Sequence, residues 1–174
     1  MAQSGDQISN GAGMSLRFLR TANDTGGELL EMEATYEPAS VKPPEHFHPN
    51  QVERFEILEG TMHALIGGEE RELNSGDTIE IEARVPHSMW NEGPGQAKTL
   101  WQTRPALRTE DFFETLFEIA RDGSATAQKP GLLRTAVFAS EFRNEFRATA
   151  PPAPLQAVAV GVLAPIGRLL GRKA

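Results

Sequence analysis

The 174-residue sequence contains no cysteine, which excludes disulfides and thiolate ligands and leaves imidazole, carboxylate and water to hold any metal. It has no basic start followed by an apolar run, so no signal peptide is read in its first residues and the expected compartment is the cytoplasm. Positive charge is scarce: 17 Lys and Arg stand against 24 Asp and Glu, a formal net charge of -7. With no basic stripe and interleaved aromatics, no nucleic-acid partner is expected. Long apolar runs are also missing. The stretch Pro151 to Gly167 carries no charge, but its prolines, Pro165 among them, leave too short a helical run for the about 20 apolar residues that cross a bilayer.

Charge is unevenly spread. Met1 to Ala120 holds 9 basic and 21 acidic residues, whereas Arg121 to Ala174 holds 8 basic and 3 acidic. The basic, partly apolar tail therefore suits an acidic surface, either the body of the same chain or an anionic lipid interface. Three partners are expected: a small-molecule ligand, a second copy in a homodimer, and a peripheral membrane contact through the C-terminal segment.

Short alternating segments dominate the first two thirds. Met14–Thr21, Leu29–Tyr36, Thr61–Ile66, Thr78–Ile81, His87–Asn91 and Lys98–Thr103 read as strands, punctuated by turns at Gly60, Gly67-Gly68 and Asn74–Asp77. No helical period intervenes, which points to an antiparallel sandwich or barrel. From Ala106 the period changes. Thr109 reads as a helix N-cap, with Phe112, Phe113, Leu116, Phe117 and Ala120 at helical spacing before Gly123, and Leu132–Arg147 reads as a second helix. Residues 1–13 read as a flexible leader, 14–105 as the β domain and 106–174 as a helical extension packed on it or at a dimer interface.

The chemistry concentrates in Pro43–Gly60, PPEHFHPNQVERFEILEG. His46 and His48 are two apart, so on an extended strand both rings leave one face and reach one ion. Glu53 opens the next alternation, and His87 in VPHSMWN is a further candidate ligand. Three neutral imidazoles and one carboxylate suit a divalent iron, manganese, nickel, copper or zinc ion, with coordination positions left for water or substrate. On regular strands Phe55 and Ile57 share the face of Glu53, while Met89 and Asn91 share that of His87. Those four residues are the expected pocket wall, apolar enough for a hydrophobic or aromatic small molecule. His63, between Met62 and Ala64, is read on the opposite face, toward solvent or an interface.

The arrangement HFHPNQVE, Gly60, Gly76-Asp77 and VPHSMWN ending at Asn91 resembles the two motifs of the cupin superfamily, over roughly Met14 to Thr103. The resemblance implies a mainly β fold, the double-stranded β-helix or jelly-roll barrel, followed here by C-terminal α-helices. It also implies that His46, His48, Glu53 and His87 are the metal ligands. Three positions depart from the motifs: Ser40 stands where the first opens with glycine, and Glu82 and Arg84 stand where the second has proline and glycine. Similar sites in the family serve dioxygenases, decarboxylases, isomerases and cyclases. The implied function is a metalloenzyme of dioxygenase-like or cyclase and isomerase type, with Glu53 as ligand or general base. A non-catalytic metal or small-ligand binding protein or sensor is the alternative, and a membrane-surface enzyme the third.

Overall fold

The computed structural model describes residues 2–126 and 131–173. Eleven strands and three helices follow in chain order: β1 Gln7–Ser9, β2 Met14–Arg20, β3 Leu30–Tyr36, β4 His46–Phe47, β5 Val52–Glu59, β6 Thr61–Ile66, β7 Glu69–Asn74, β8 Thr78–Ile81, β9 His87–Trp90, β10 Ala97–Arg104, α1 Thr109–Thr126, α2 Leu132–Glu141, β11 Arg147–Ala148 and α3 Ala153–Leu169. Within the stretch read as a leader, Gln7–Ser9 pairs antiparallel with Ser15–Arg17 as an edge strand.

The strands form two antiparallel sheets, ordered β1-β2-β3-β10-β5-β8 and β11-β4-β9-β6-β7. Alternation chooses the inward face. Leu30, Met32, Ala34 and Tyr36 of β3 are buried, as are Glu53, Phe55 and Ile57 of β5 and Ala97, Thr99, Trp101 and Thr103 of β10. Met62, Ala64 and Met89 join the same core from the second sheet. The buried leucine, isoleucine, methionine and phenylalanine side chains among them each contribute roughly 1.5–3 kcal/mol of burial free energy.

This arrangement corrects the expected closed jelly-roll barrel. Both sheets are open: β1 and β8 are edges of the first, β11 and β7 edges of the second, and no ladder joins the two among the described residues. Alternation reports which face is apolar and is silent on which strand edges pair, so closure could not be read from it. The class is mixed β/α rather than mainly β, because helices of 18, 10 and 17 residues follow the sheets.

Helix α1 lays Phe112, Phe113 and Phe117 into the core, with Phe113 edge-on to Trp101 at 5.1 Å. Its first turn is secured by two residues. Thr109 Oγ1 donates to Ala106 O (2.7 Å) instead of capping a backbone N–H, and Gln51 Nε2 donates to Thr109 Oγ1 (2.7 Å) from the loop before β5.

The C-terminal stretch forms α3, which packs on α2. Ala164 and Gly167 are buried there, and a Cβ at Gly167 would stand 2.8 Å from Val137 Cγ2 and 3.2 Å from Leu133 O. The peripheral membrane contact expected of this segment is therefore corrected. No helix among the described residues is long and apolar enough to cross a membrane, and the face of α3 bearing Ala164 and Gly167 is committed to α2, while Leu155, Val158 and Val162 are exposed.

Candidate metal centre

Two elements of the five-stranded sheet bring the imidazoles together. His46 of β4 is the direct cross-strand partner of His87 of β9, and their ring centroids lie 4.5 Å apart. His48 follows β4 immediately, 5.3 Å from His46 and 5.2 Å from His87 between ring centroids. One nitrogen from each ring lies within 4.8 Å of the other two. His48 and His87 are buried and His46 is partly exposed.

Backbone carbonyls select the nitrogen that each ring presents. His46 Nδ1 lies 2.9 Å from Pro44 O, His87 Nδ1 lies 3.0 Å from Val85 O, and His48 Nδ1 bonds Glu145 O. A carbonyl can only accept, so each Nδ1 carries the hydrogen and each Nε2 is left with its lone pair. An Nδ1–H held by a carbonyl in this way fixes the ring and aims Nε2 as a ligand.

Glu53 reaches the triad from the opposite sheet. Its Oε2 is 3.2 Å from His48 Nε2 and 3.1 Å from His87 Nε2. His48 Nε2 and Glu53 Oε2 are nevertheless buried without a hydrogen bond. Orphaned buried polar atoms converging on one point are costly unless something binds there. The donor set, three imidazole nitrogens beside a carboxylate, fits a divalent first-row ion. His46, His48 and His87 can coordinate a metal, with Glu53 placed next to two of them.

The electrostatics follow from this crowding. Burial, together with His87 and His48, pushes His46 down to about 3. Burial also opposes a charge on His48, but the Glu53 carboxylate and the Glu145 carbonyl outweigh it and hold its pKa above the ordinary imidazole value. Burial would raise Glu53, yet the flanking His48 and His87 hold it well below the usual carboxylate range.

The expected pocket residues divide. Phe55 and Ile57 are buried on the face of β5 that carries Glu53, Phe55 packing on Trp101 at 4.9 Å, and Met89 is buried on β9, the strand of His87. Asn91 serves the loop instead. Its Nδ2 donates to Tyr36 O, Glu37 O and Gly95 O, its Oδ1 accepts from Gly93 N, and its own N–H meets Ser40 Oγ. Its amide is therefore engaged in holding this loop. His63 lies on the other face of the sheet, stacked on Trp90 at 5.9 Å in a cleft of about 270 Å³ that also holds Lys42 and Arg71.

Two contributors escape sequence reading. Trp101 Nε1 donates to Glu53 Oε1 (3.0 Å), which fixes the carboxylate and leaves Oε2 facing the imidazoles. The other is the segment after α2, where Phe146 stacks on His46 at 4.7 Å and 26°. Trp101 lies in the core face of β10, where an indole reads as packing. Phe146 is a hundred residues from His46 and carries no local signal. Trp101→Phe is expected to leave Oε1 without a donor and to lower the stability of the metal-free protein by about 1–3 kcal/mol in a urea titration. An unchanged midpoint would show that the indole only packs.

The turn departures also find an explanation. Arg84 adopts φ 68, the left-handed region in which the family motif has glycine, while its N–H donates to His48 O (2.9 Å) and its Nε to Pro49 O (3.3 Å). These bonds hold the loop that carries His48.

The comparisons with known proteins agree with this picture. The cupin domain family matches residues 32–103. An oxidoreductase of Arthrobotrys oligospora is 38% identical over 61 residues, 34% of this chain and 24% of that protein, so the match spans about a quarter of the relative's length. Among solved structures, KdgF from Halomonas is similar with a TM-score of 0.51 at 17% identity, over 57% of this chain and 86% of that one. A predicted oxalate decarboxylase from Thermotoga maritima is similar with a TM-score of 0.52 at 20% identity, over 60% and 98%. An RmlC-like cupin from Shewanella frigidimarina gives 0.53 at 16%, over 63% and 92%. At such identities the structures speak for the fold alone. Motifs and matched residues together show a cupin domain over residues 32–103, and the three clustered histidines lie within it.

Proposed function

We propose that the protein is a metal-dependent enzyme acting on a small, largely apolar or aromatic molecule, with His46, His48 and His87 as ligands and Glu53 as ligand or general base. The observation that carries this reading is the set of three Nδ1–carbonyl bonds that turn three Nε2 lone pairs toward one another. A bound divalent ion would supply Lewis-acid polarisation or, if redox-active, oxygen chemistry. The chain's own groups orient and hold. Trp101 fixes Oε1 of Glu53, so proton transfer or coordination falls to Oε2. Phe146, Phe55 and Met89 exclude water and favour an apolar substrate. The partly matched relative is named an oxidoreductase, which is compatible with redox chemistry at such a centre.

One observation favours a second reading, a metal-holding protein without catalysis: Phe146 lies over His46, and the other two imidazoles are buried. Water-proton relaxation of the Mn²⁺-loaded protein separates the two. An exchangeable coordinated water is expected for an enzyme, and its absence for a closed site.

The titration behaviour gives a direct test of the site. His46 stays neutral down to about 3, so it does not compete for protons between pH 5 and 8. His48, held above the ordinary value, keeps its proton further up the scale. A metal must displace that proton, so affinity is expected to fall as pH drops, approaching tenfold per unit for one proton. Co²⁺ titrations followed by visible absorption at pH 8, 7, 6 and 5 check this. A flat profile would remove His48 from the ligand set.

A further inference from the structure

Two of the three imidazoles owe their tautomer to the chain just before their own strands, since Pro44 and Val85 lie two residues before His46 and His87. His48 does not. Its Nδ1 partner is the carbonyl of Glu145, 97 residues away. We infer that the segment Phe142–Thr149, outside the matched domain, is a working part of the centre: it sets His48 in its ligating tautomer and covers His46, so the triad becomes a complete donor set only when this segment is docked. The inference rests on reading the triad as a metal centre.

The docking is built from several independent contacts. β11 pairs with β4, Ala148 opposite His46 and Arg147 opposite Phe47. Thr149 sends both its N–H and its hydroxyl to Glu45 O, each at 3.0 Å. Phe146 lies between His46 and Phe112, stacked on Phe112 at 5.4 Å and 27°. Glu145 is anchored by its side chain. Its carboxylate is only 5% exposed as a residue and accepts the Arg108 N–H (3.3 Å) at the start of α1, where a negative charge is favourable. The guanidinium of Arg108 meets Glu141 Oε1 (3.1 Å) and lies 5.2 Å from the Phe142 ring. A line of contacts therefore runs from the start of α1 through the Glu145 side chain to its carbonyl and on to His48.

Glu145 and Phe146 are thus positioning residues, and the coupling is reciprocal. If docking completes the donor set, a metal that binds the complete set must stabilise docking by the same factor. A C-terminal segment that loosens would release the ion, and an ion would tighten the segment.

The experiment has two arms on the full chain. In metal-free protein, at a pH high enough for His48 to be neutral, long-range ¹H–¹⁵N NMR of the imidazoles is expected to show His48 as the Nδ1–H form in the wild type and in Glu145→Gln, which keeps an acceptor for Arg108 N–H. Glu145→Ala is expected to shift His48 toward Nε2–H while His46 and His87 stay as they are. In the second arm, Co²⁺ affinity is expected to fall about 10–100-fold in Glu145→Ala and in Phe146→Ala, with Glu145→Gln close to wild type. Co²⁺ is also expected to slow amide exchange at residues 142–149 in the wild type but not in His48→Ala.

Wild-type His48 in the Nε2–H form, or unchanged Co²⁺ affinity and tautomer in Glu145→Ala, would overturn the inference. Should Glu145→Ala fail to fold, the wild-type tautomer and the Phe146→Ala affinity still decide it. A wild type that binds no Co²⁺ would sink the metal reading instead, while the tautomer arm would continue to test the positioning role on its own.

Discussion

His87→Ala is expected to abolish stoichiometric metal binding while leaving a folded protein, with affinity for Co²⁺ or Zn²⁺ lowered beyond the about 100-fold that loss of an outer-shell partner costs. The reasoning is geometric. His87 is 3% exposed, sits across the ladder from His46, and places Nε2 3.1 Å from Glu53 Oε2. Without its ring the two remaining imidazoles and Glu53 have no third nitrogen on the β9 side. The fold should survive because the core is built elsewhere, on Leu16, Phe18, Met32, Phe55, Ile57 and Trp101. Removing a buried ring still leaves a cavity and a carbonyl at Val85 without its donor, a cost of about 1–3 kcal/mol. His46→Ala provides the control. It should lose the metal to a similar degree but less stability, since its ring is partly exposed. Elemental analysis of wild type and both variants, with urea titrations of the metal-free forms, checks this. Full metal content in His87→Ala would remove it from the centre, and global unfolding would make the residue structural.

Gly60→Ala is expected to be among the most damaging single substitutions outside the site, lowering stability by about 2–5 kcal/mol. Gly60 joins β5 to β6 and so carries the chain from one sheet to the other, at φ 77. An added Cβ would meet Gln96 O at 2.6 Å and Ala97 Cα at 3.0 Å, both backbone atoms of the neighbouring strand region that have no rotamer to yield. The left-handed backbone adds roughly 1–2 kcal/mol for an L side chain, and the overpacking adds about 1–3 kcal/mol. Gly67→Ala separates these terms. Gly67 has φ 59 with nothing within 4 Å of its Cβ position, so only the backbone cost applies. Thermal and urea unfolding of the two variants should differ by the overpacking share. Equal losses would mean that the β5–β6 junction relaxes freely.

Much of the site was legible because its signal is local. The two-residue step from His46 to His48, the alternation that begins at Glu53 and the PH pair at Pro86-His87 are short-range patterns, and period-two geometry converts them into side chains on one face. The same alternation named Phe55, Ile57 and Met89 as buried wall residues. It placed Asn91 there too, and periodicity cannot show that the carbonyls of Tyr36, Glu37 and Gly95 take its amide hydrogens. Arg84 shows the limit in the other direction. The motif reading put a turn at that position despite a residue that resists one, and the backbone does adopt φ 68 there, held by the carbonyls of His48 and Pro49.

By itself, then, the amino-acid order determined which three histidines could gather round one ion, that strands precede helices, and which faces are apolar. Those properties depend on neighbours within a few residues. Tertiary structure alone decided that two open sheets stack where a closed barrel was expected, since strand-edge pairing depends on contacts between distant segments. It also decided that the uncharged C-terminal stretch seats on α2, and that Trp101 and Glu145 complete the surroundings of Glu53 and His48. A carbonyl 97 residues away has no side-chain identity to read in the sequence, because every residue carries one and only folding brings the right one to His48.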